Sequence, residues 1–498
     1  MRDAGGRKKP NIFFRQAKNE EGDNSMDGIK KRVAVIGGGI AGLTAAYYLQ
    51  KEIREKNLPF ECLLFESSHR LGGKLQTLVT GDGFVIEKGP DSILARKPAA
   101  KKLAEEVGMG DRIVRNATGR SYVLVDGRLY PVPEGTVMGV PTRLWPFLTT
   151  RLFSITGKLR ASLDLVLPRS KMEKDQSLGA FFRRRLGDEV VDNLIEPLLS
   201  GIYAGDIDQL SLMATFPLFY DVEQKYGSLI RGMFRGGAKR PKKPGKEEGQ
   251  KEGQFFTFTT GLQSFTEAIE RRLMDGTVFK GVRVVKIAAG DGRYEVFLND
   301  GERFVVDSIV LAVPHSAVPM LLKEYDFFAP LQSVPSTSVA TIALAFSERD
   351  IGPVGTGTGF VISRRNVQSI TACTWAHKKW PHTAPKGKAL LRCYVGRPGD
   401  EEIVDLDDET IVRLVLDDLR QVMDLPAKPE FSVVTRWKDA MPQYTVGHKE
   451  RLAKIEREME IHLPNVYLAG SSYRGLGIPD CIRQGEEAAE KVIRSFRG

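Results

Sequence analysis

The chain has 498 residues, 42% hydrophobic and 27% charged, the balance of a globular protein of two or three domains, which excludes a fibre or a disordered chain. Four cysteines stand far apart without CxxC spacing and six histidines form no HxxxH pair, so the sequence argues against a disulfide framework, a zinc ribbon and a metal enzyme. The net charge of +10 reads first as solubility and next as suiting an anionic small molecule; with no basic strip interleaved with aromatics, nucleic acid is the least expected partner.

Residues 1–31 are polar and aperiodic and are expected to form a flexible extension. No stretch reaches the roughly 20 apolar residues of a membrane span, and no apolar core follows the charged N-terminus, so a cytoplasmic protein is expected. Arg32–Ile36 reads as a buried strand, Ala41 to about Lys56 as a helix carrying Leu43, Ala46, Tyr47 and Leu49, and Glu61–Glu66 as a second strand. Together they predict a βαβ unit.

From about Pro98 to Gly237 the pattern is mostly helical, with Leu178–Arg185 and Glu189–Leu199 the clearest pieces. Within it Arg143–Phe153 is apolar with basic flanks; a buried or domain-surface helix is the plainer reading, and transient lipid contact the sharper one. Gly237–Gly253 has one apolar residue, Ala238, and is expected to be a loop or a disordered insertion. Strands are predicted at Thr277–Phe279, Val282–Ile287, Arg293–Leu298, Ser308–Val313 and Asn465–Ala469, a short buried strand at Val339–Phe346, and helices around Asp408–Met423 and Asp480–Arg497.

The strongest chemical signal is Gly37-Gly38-Gly39-Ile40-Ala41-Gly42, a G-x-G-x-x-G between strand and helix. Gly37 allows the tight turn, Gly39 lets backbone approach a pyrophosphate, Gly42 allows close helix–strand packing, and the helix N-terminus offers N–H groups to phosphate. Glu66 closes the second strand where an acid can accept from adenosine ribose hydroxyls. A second glycine turn follows in Glu66-Ser67-Ser-His-Arg70-Leu-Gly72-Gly73-Lys74, with Arg70 and Lys74 as candidates to neutralise phosphate. At the other end, Asn465–Gly470 predicts strand then glycine, and Gly475-Leu476-Gly477-Ile-Pro-Asp480 another glycine turn opening a helix. Cys481 in that turn reads as packing. There is no GxSxG elbow and no Cys/His nucleophile pair.

The second glycine turn resembles the FAD site of flavin-dependent amine oxidases and desaturases. Ile86–Ser92 (IEKGPDS), Asn116–Leu124, Val137–Thr142, Glu196–Asp206 (EPLLSGIYAGD), Met441–His448 (MPQYTVGH) and Gly475–Gly485 narrow the likeness. From about Lys31 onward, outside the polar insertion, the chain resembles the protoporphyrinogen/coproporphyrinogen oxidase family, nearest to its soluble Gram-positive form.

That resemblance implies an α/β (mixed α+β) fold of p-hydroxybenzoate-hydroxylase type, with a Rossmann-like FAD domain assembled from residues 32–95, 255–318 and 436–498. It implies a largely helical domain over 96–236, a disordered insertion at 237–254 and a substrate-binding domain over 319–435. The residues implied at FAD are Gly37–Gly42, Glu66, Ser67, Arg70, Gly73, Lys74, Gly89, Pro90, Asp91, Ser92, Val284, Trp437 and Gly475–Gly477. The implied reaction is oxygen-dependent oxidation of coproporphyrinogen III, or of protoporphyrinogen IX, with the flavin and no side chain carrying the chemistry. The product would pass to a chelatase. Arg96, just after the GPDS turn, is the candidate for a substrate propionate. Three rivals stay open: another enzyme of the amine oxidase or desaturase type, a porphyrin-binding protein without turnover, and an NAD(P)H-dependent oxidoreductase, which would need a second dinucleotide site.

Overall fold

The computed structural model describes residues 30–171, 174–237, 253–352 and 356–497. The bulk of the expected N-terminal extension and of the 237–254 insertion lies outside them. At the edges of those two stretches the structure is ordered: Lys31 already belongs to the first strand, Lys31–Ile36, and the Gln254 carbonyl accepts from the Ala95 N–H.

The front βαβ unit forms as predicted, with the helix over Ile40–Lys56 and the second strand over Phe60–Glu66. These two strands are central in a five-stranded parallel sheet, flanked by Val278–Lys280 on one side and by Ser308–Leu311 and Val466–Leu468 on the other. Strands buried on both faces can be continuously apolar, which is why VAVI, CLLF and SIVL read as unbroken runs. The C-terminal helix, Ile478–Arg497, lies directly on the front helix. Gly485 permits that approach, since a side chain there would meet the Ala41 carbonyl.

A seven-stranded sheet forms the second layer, in the order Phe431–Pro442, Ser336–Ser347, Lys388–Val395, Ile370–Trp375, Gly359–Ile362, Tyr122–Val125, Arg128–Pro131. Its outer face packs on the helix Asp408–Met423, burying Ile342, Leu344, Leu391 and Cys393 against Ile411, Val415 and Leu419. Two expected boundaries shift. Tyr122–Pro131, placed with the helices, is a hairpin that extends this sheet, turned by Asp126-Gly127, both at positive φ; Asp-Gly is the turn chemistry a two-residue hairpin requires. The edge strand Phe431–Pro442 crosses the expected border at 435/436, so Trp437 stands on the sheet, opposite Val339.

The helical part runs from Leu144 to Gly237 around a core that includes Phe181, Phe182, Leu186, Leu194, Leu199 and Phe219. Leu178–Leu186 is helical as predicted, and so is the second piece, although its helix widens to π geometry over Val191–Ile195. Pro197 follows immediately and has no N–H to continue the ladder.

Candidate cofactor site

The front glycine turn sits where the sheet ends. Gly37 has φ +103, and a Cβ there would stand 2.5 Å from the Ala312 carbonyl oxygen. A Cβ on Gly42 would fall well inside contact distance of the Gly37 carbonyl. Beside Gly39, by contrast, a Cβ would meet nothing. The first turn of the helix thus faces open space, bounded by backbone. Ile40 packs on the core and Ala41 lies within it. The Glu66 carboxylate is held by the N–H groups of Gly38 (2.7 Å) and Ser68 (2.8 Å), with the Ser67 hydroxyl at 3.4 Å. Val284 starts a strand close to the end of the Glu66 strand, where the Val282 N–H donates to the Glu66 carbonyl.

The second turn meets the first, with Gly72 N–H donating to the Gly38 carbonyl at 2.8 Å and Gly73 beside Gly39. Both cations of this turn have backbone partners. Arg70 donates to the carbonyls of Leu71, Gly73 and Leu75, so its guanidinium braces its own loop. Lys74 turns away from Gly39 and donates to the Ala440 carbonyl. Burial lowers the basicity of both.

The third turn, Lys88–Ser92, is gripped from the second sheet. Thr341 Oγ1 and Trp437 Nε1 donate to the Lys88 carbonyl at 2.9 and 2.8 Å, and Arg392 donates to the Gly89 carbonyl. Gly89 is required there, because any side chain would overlap the Lys74 carbonyl. Asp91 accepts from Lys379 at 2.9 Å and from the Ser92 hydroxyl at 2.8 Å. Burial alone would raise the Asp91 pKa, but Lys379 and Arg392 outweigh it and hold the carboxyl well below the usual range. Pro90 is exposed. Nearby Glu87 is pushed up to about 7 by burial, although it accepts from Leu262 N–H and Thr77.

The fourth turn, Gly470–Gly477, carries Leu476 against the helical core and leads into the C-terminal helix. Asp480 in its first turn pairs with Lys97 at 2.6 Å. Cys481 is buried, its thiol pushed up to about 12 by that burial. Arg96 is exposed at the surface beside these groups in sequence and makes no ion pair or hydrogen bond among the described residues.

Three turns from the front of the chain therefore meet one another, and a Cβ on Gly470 of the fourth, from its far end, would come within 4.0 Å of Ala41. The sequence carries no signal for Arg392 and Lys379, which act across 303 and 288 residues, and a local pattern does not carry such pairings. The donor set suits a dinucleotide: free backbone at a helix N-terminus for phosphates, a carboxylate at the second strand for a ribose, and glycine turns for a planar ring.

Comparison with known proteins follows the same lines. Residues 40–493 match the family of flavin containing amine oxidoreductases. The chain is 52% identical to coproporphyrinogen III oxidase of Bacillus subtilis, over 93% of this chain and 98% of that protein. It is 44% identical to that of Staphylococcus aureus, over 93% and 99%, and 30% identical to chloroplastic protoporphyrinogen oxidase 1 of Spinacia oleracea, over 95% and 86%. Among solved structures, one assigned as a protoporphyrinogen oxidase from Exiguobacterium sp. 255-15 superposes with TM-score 0.83 at 39% identity, over 94% of this chain and 99% of that one. UDP-galactopyranose mutase shares the fold, with TM-score 0.69 at 17% identity over 93% and 96%. The chain belongs to the flavin-containing amine oxidoreductase family, among its protoporphyrinogen and coproporphyrinogen oxidases.

Proposed function

We propose that this chain oxidises coproporphyrinogen III to coproporphyrin III, using FAD and dioxygen. The observation that carries this reading is the 52% identity to a coproporphyrinogen III oxidase across 98% of its length, with all four ligand-facing turns built. When bound, FAD supplies the redox chemistry, three two-electron oxidations that remove six hydrogens in all and reduce three dioxygens to hydrogen peroxide. The chain's residues bind and orient. The N–H groups at Gly39–Gly42 face the diphosphate, Glu66 a ribose, Val284 the adenine side, and Gly73, Gly89–Ser92 and Gly475–Gly477 the ring and its linker. Trp437 acts through the Lys88 carbonyl. The deciding experiment is turnover of both porphyrinogens by FAD-loaded protein in air and without oxygen. Coproporphyrinogen is expected to be the better substrate with stoichiometric peroxide; a clear preference for protoporphyrinogen IX reverses the assignment.

Arg96 is proposed to meet a substrate propionate, because it is an exposed guanidinium without a protein partner next to the GPDS turn. A charge-assisted hydrogen bond contributes about 1.5–3 kcal/mol, so Arg96→Ala is expected to raise KM roughly 10- to 100-fold with FAD content unchanged. An unaltered KM removes Arg96 from the substrate.

Lipid contact is a second proposal. Trp145, Ile155 and Val166 are 75%, 78% and 77% exposed, and Leu144, Leu159 and Leu163 join them. Arg143, Arg151, Arg169 and Lys171 are exposed in the same stretch, and the one acid between residues 143 and 171, Asp164, is buried. An apolar patch with a basic rim fits an anionic bilayer surface, while no described helix is long and apolar enough to cross one. Co-sedimentation with phosphatidylglycerol vesicles is expected, and Trp145→Ser with Ile155→Ser should abolish it. Equal sedimentation of the double variant and wild type excludes this surface. Delivery of the porphyrin to a chelatase would follow from the same membrane-side location.

A further inference from the structure

We infer that residues 437–448 are a strap that sets the position of the flavin, with Tyr444 and His448 as its positioning residues. This deepens the FAD reading above and rests on it.

The segment Gly470–Gly477 has no regular structure, so side chains must fix it. One hydroxyl ties both of its ends: Tyr444 Oη donates to the Ser471 carbonyl at 2.7 Å and accepts from the Gly475 N–H at 2.9 Å. The His448 ring stacks on Tyr444, with centroids 4.2 Å apart and 14° between planes. His448 Nε2 lies 2.8 Å from the Tyr473 carbonyl. A nitrogen facing a carbonyl must carry the proton, and burial favours the neutral ring, which leaves Nδ1 bare; it is buried and makes no hydrogen bond among the described residues. From the opposite side His315 holds Ser472 by its backbone N–H at 3.1 Å and by Nδ1 at 3.2 Å. The other half of the strap holds the other turns. Trp437 donates to the Lys88 carbonyl beside Gly89, and the Ala440 carbonyl receives Lys74 from the Gly73 turn.

Three turns, two near the front of the chain and one near its end, thus hang on twelve consecutive residues. The strap begins on the edge strand of the second sheet and ends at the helix His448–His462. Small displacements of a reacting ring are costly: about 1 Å can cost 10²-fold. A segment that registers three turns at once is where such precision is set.

The test uses the FAD-loaded protein with Tyr444→Phe, His448→Gln and His448→Leu. FAD dissociation constant, visible circular dichroism of the bound flavin and its midpoint potential are measured, with urea unfolding as the control for folding. Tyr444→Phe and His448→Leu are expected to bind FAD about tenfold more weakly and to change the dichroism. His448→Gln, which keeps an N–H for the Tyr473 carbonyl, should restore most of both. Variants that match wild type in affinity, dichroism and potential overturn the inference. So does a His448→Gln as impaired as His448→Leu at equal urea midpoint, since packing would then explain both. A wild-type chain that takes up no FAD overturns the cofactor reading itself, and this one with it.

Discussion

Gly42→Ala is expected to yield a folded but colourless protein. The new methyl group would overlap the Gly37 carbonyl oxygen and press on the Ala312 side chain, so the helix start must move relative to the strand end. Overpacking of this kind costs about 1–3 kcal/mol of stability. The larger effect falls on the ligand, because the N–H groups that face the diphosphate move by the same shift, and about 1 Å of misplacement is worth about 10²-fold. Gly39→Ala separates the two effects. A Cβ there meets no protein atom, so the apoprotein should unfold at the wild-type urea concentration, yet the methyl group enters the space assigned to phosphate. FAD titration followed by visible absorbance checks both variants. Gly39→Ala that binds FAD as wild type does would show that the pyrophosphate lies elsewhere.

What could be read from the chain follows the range of the interactions involved. The strands at the front, the helix Ile40–Lys56 and the helix Asp408–Met423 are local events. The last begins where expected because the Asp407 carboxylate caps it, accepting from Thr410 N–H at 2.9 Å. Glycine turns are equally local, since the steric demand and the residue that meets it coincide. Arg70 shows the limit of a local pattern: a cation next to two glycines suggests phosphate, while the pattern is silent on the carbonyls of its own loop, to which both terminal nitrogens donate. The roles of Trp437 and Arg392 depend on partners 349 and 303 residues away. Only the closed sheet order brings them there. The hairpin Tyr122–Pro131 was legible in Asp126-Gly127, yet its sheet was not, because its parallel neighbour, Gly359–Ile362, lies more than 200 residues downstream.

The helical part should depend strongly on one buried cation. Arg185 is fully buried, as are Glu223 and Asp164. Arg185 Nε donates to Glu223 Oε1 at 2.6 Å, and a terminal nitrogen lies 3.2 Å from Asp164 Oδ1. Glu223 also receives Ser170, and Asp164 receives the Ser228 hydroxyl and the Ile230 N–H. Burial raises the Asp164 pKa despite these donors and Arg185. Arg185→Met would leave two carboxylates in the interior with the half-exposed Arg184 as the nearest remaining cation on Glu223. Removing one side of such a set costs about 3–5 kcal/mol, enough to lower the unfolding midpoint of this part clearly. The sign of the pH response follows. Burial already raises the Asp164 pKa, and without Arg185 its folded carboxyl holds a proton that the unfolded chain releases, so the deficit should shrink as pH falls toward 5 and grow toward 8. Replacing the set together, Arg185→Met with Glu223→Leu and Asp164→Asn, should recover most of the loss, since neutral substitutes of similar volume leave no unpaired charge and Asn can still accept from Ser228 and Ile230. Asp164 anchors the exposed turn Leu163–Val166, so vesicle binding should fall with Arg185→Met and return with the triple variant. A loss below about 1 kcal/mol in Arg185→Met, independent of pH, would mean that water reaches these groups and that the cluster is not a closed interior site.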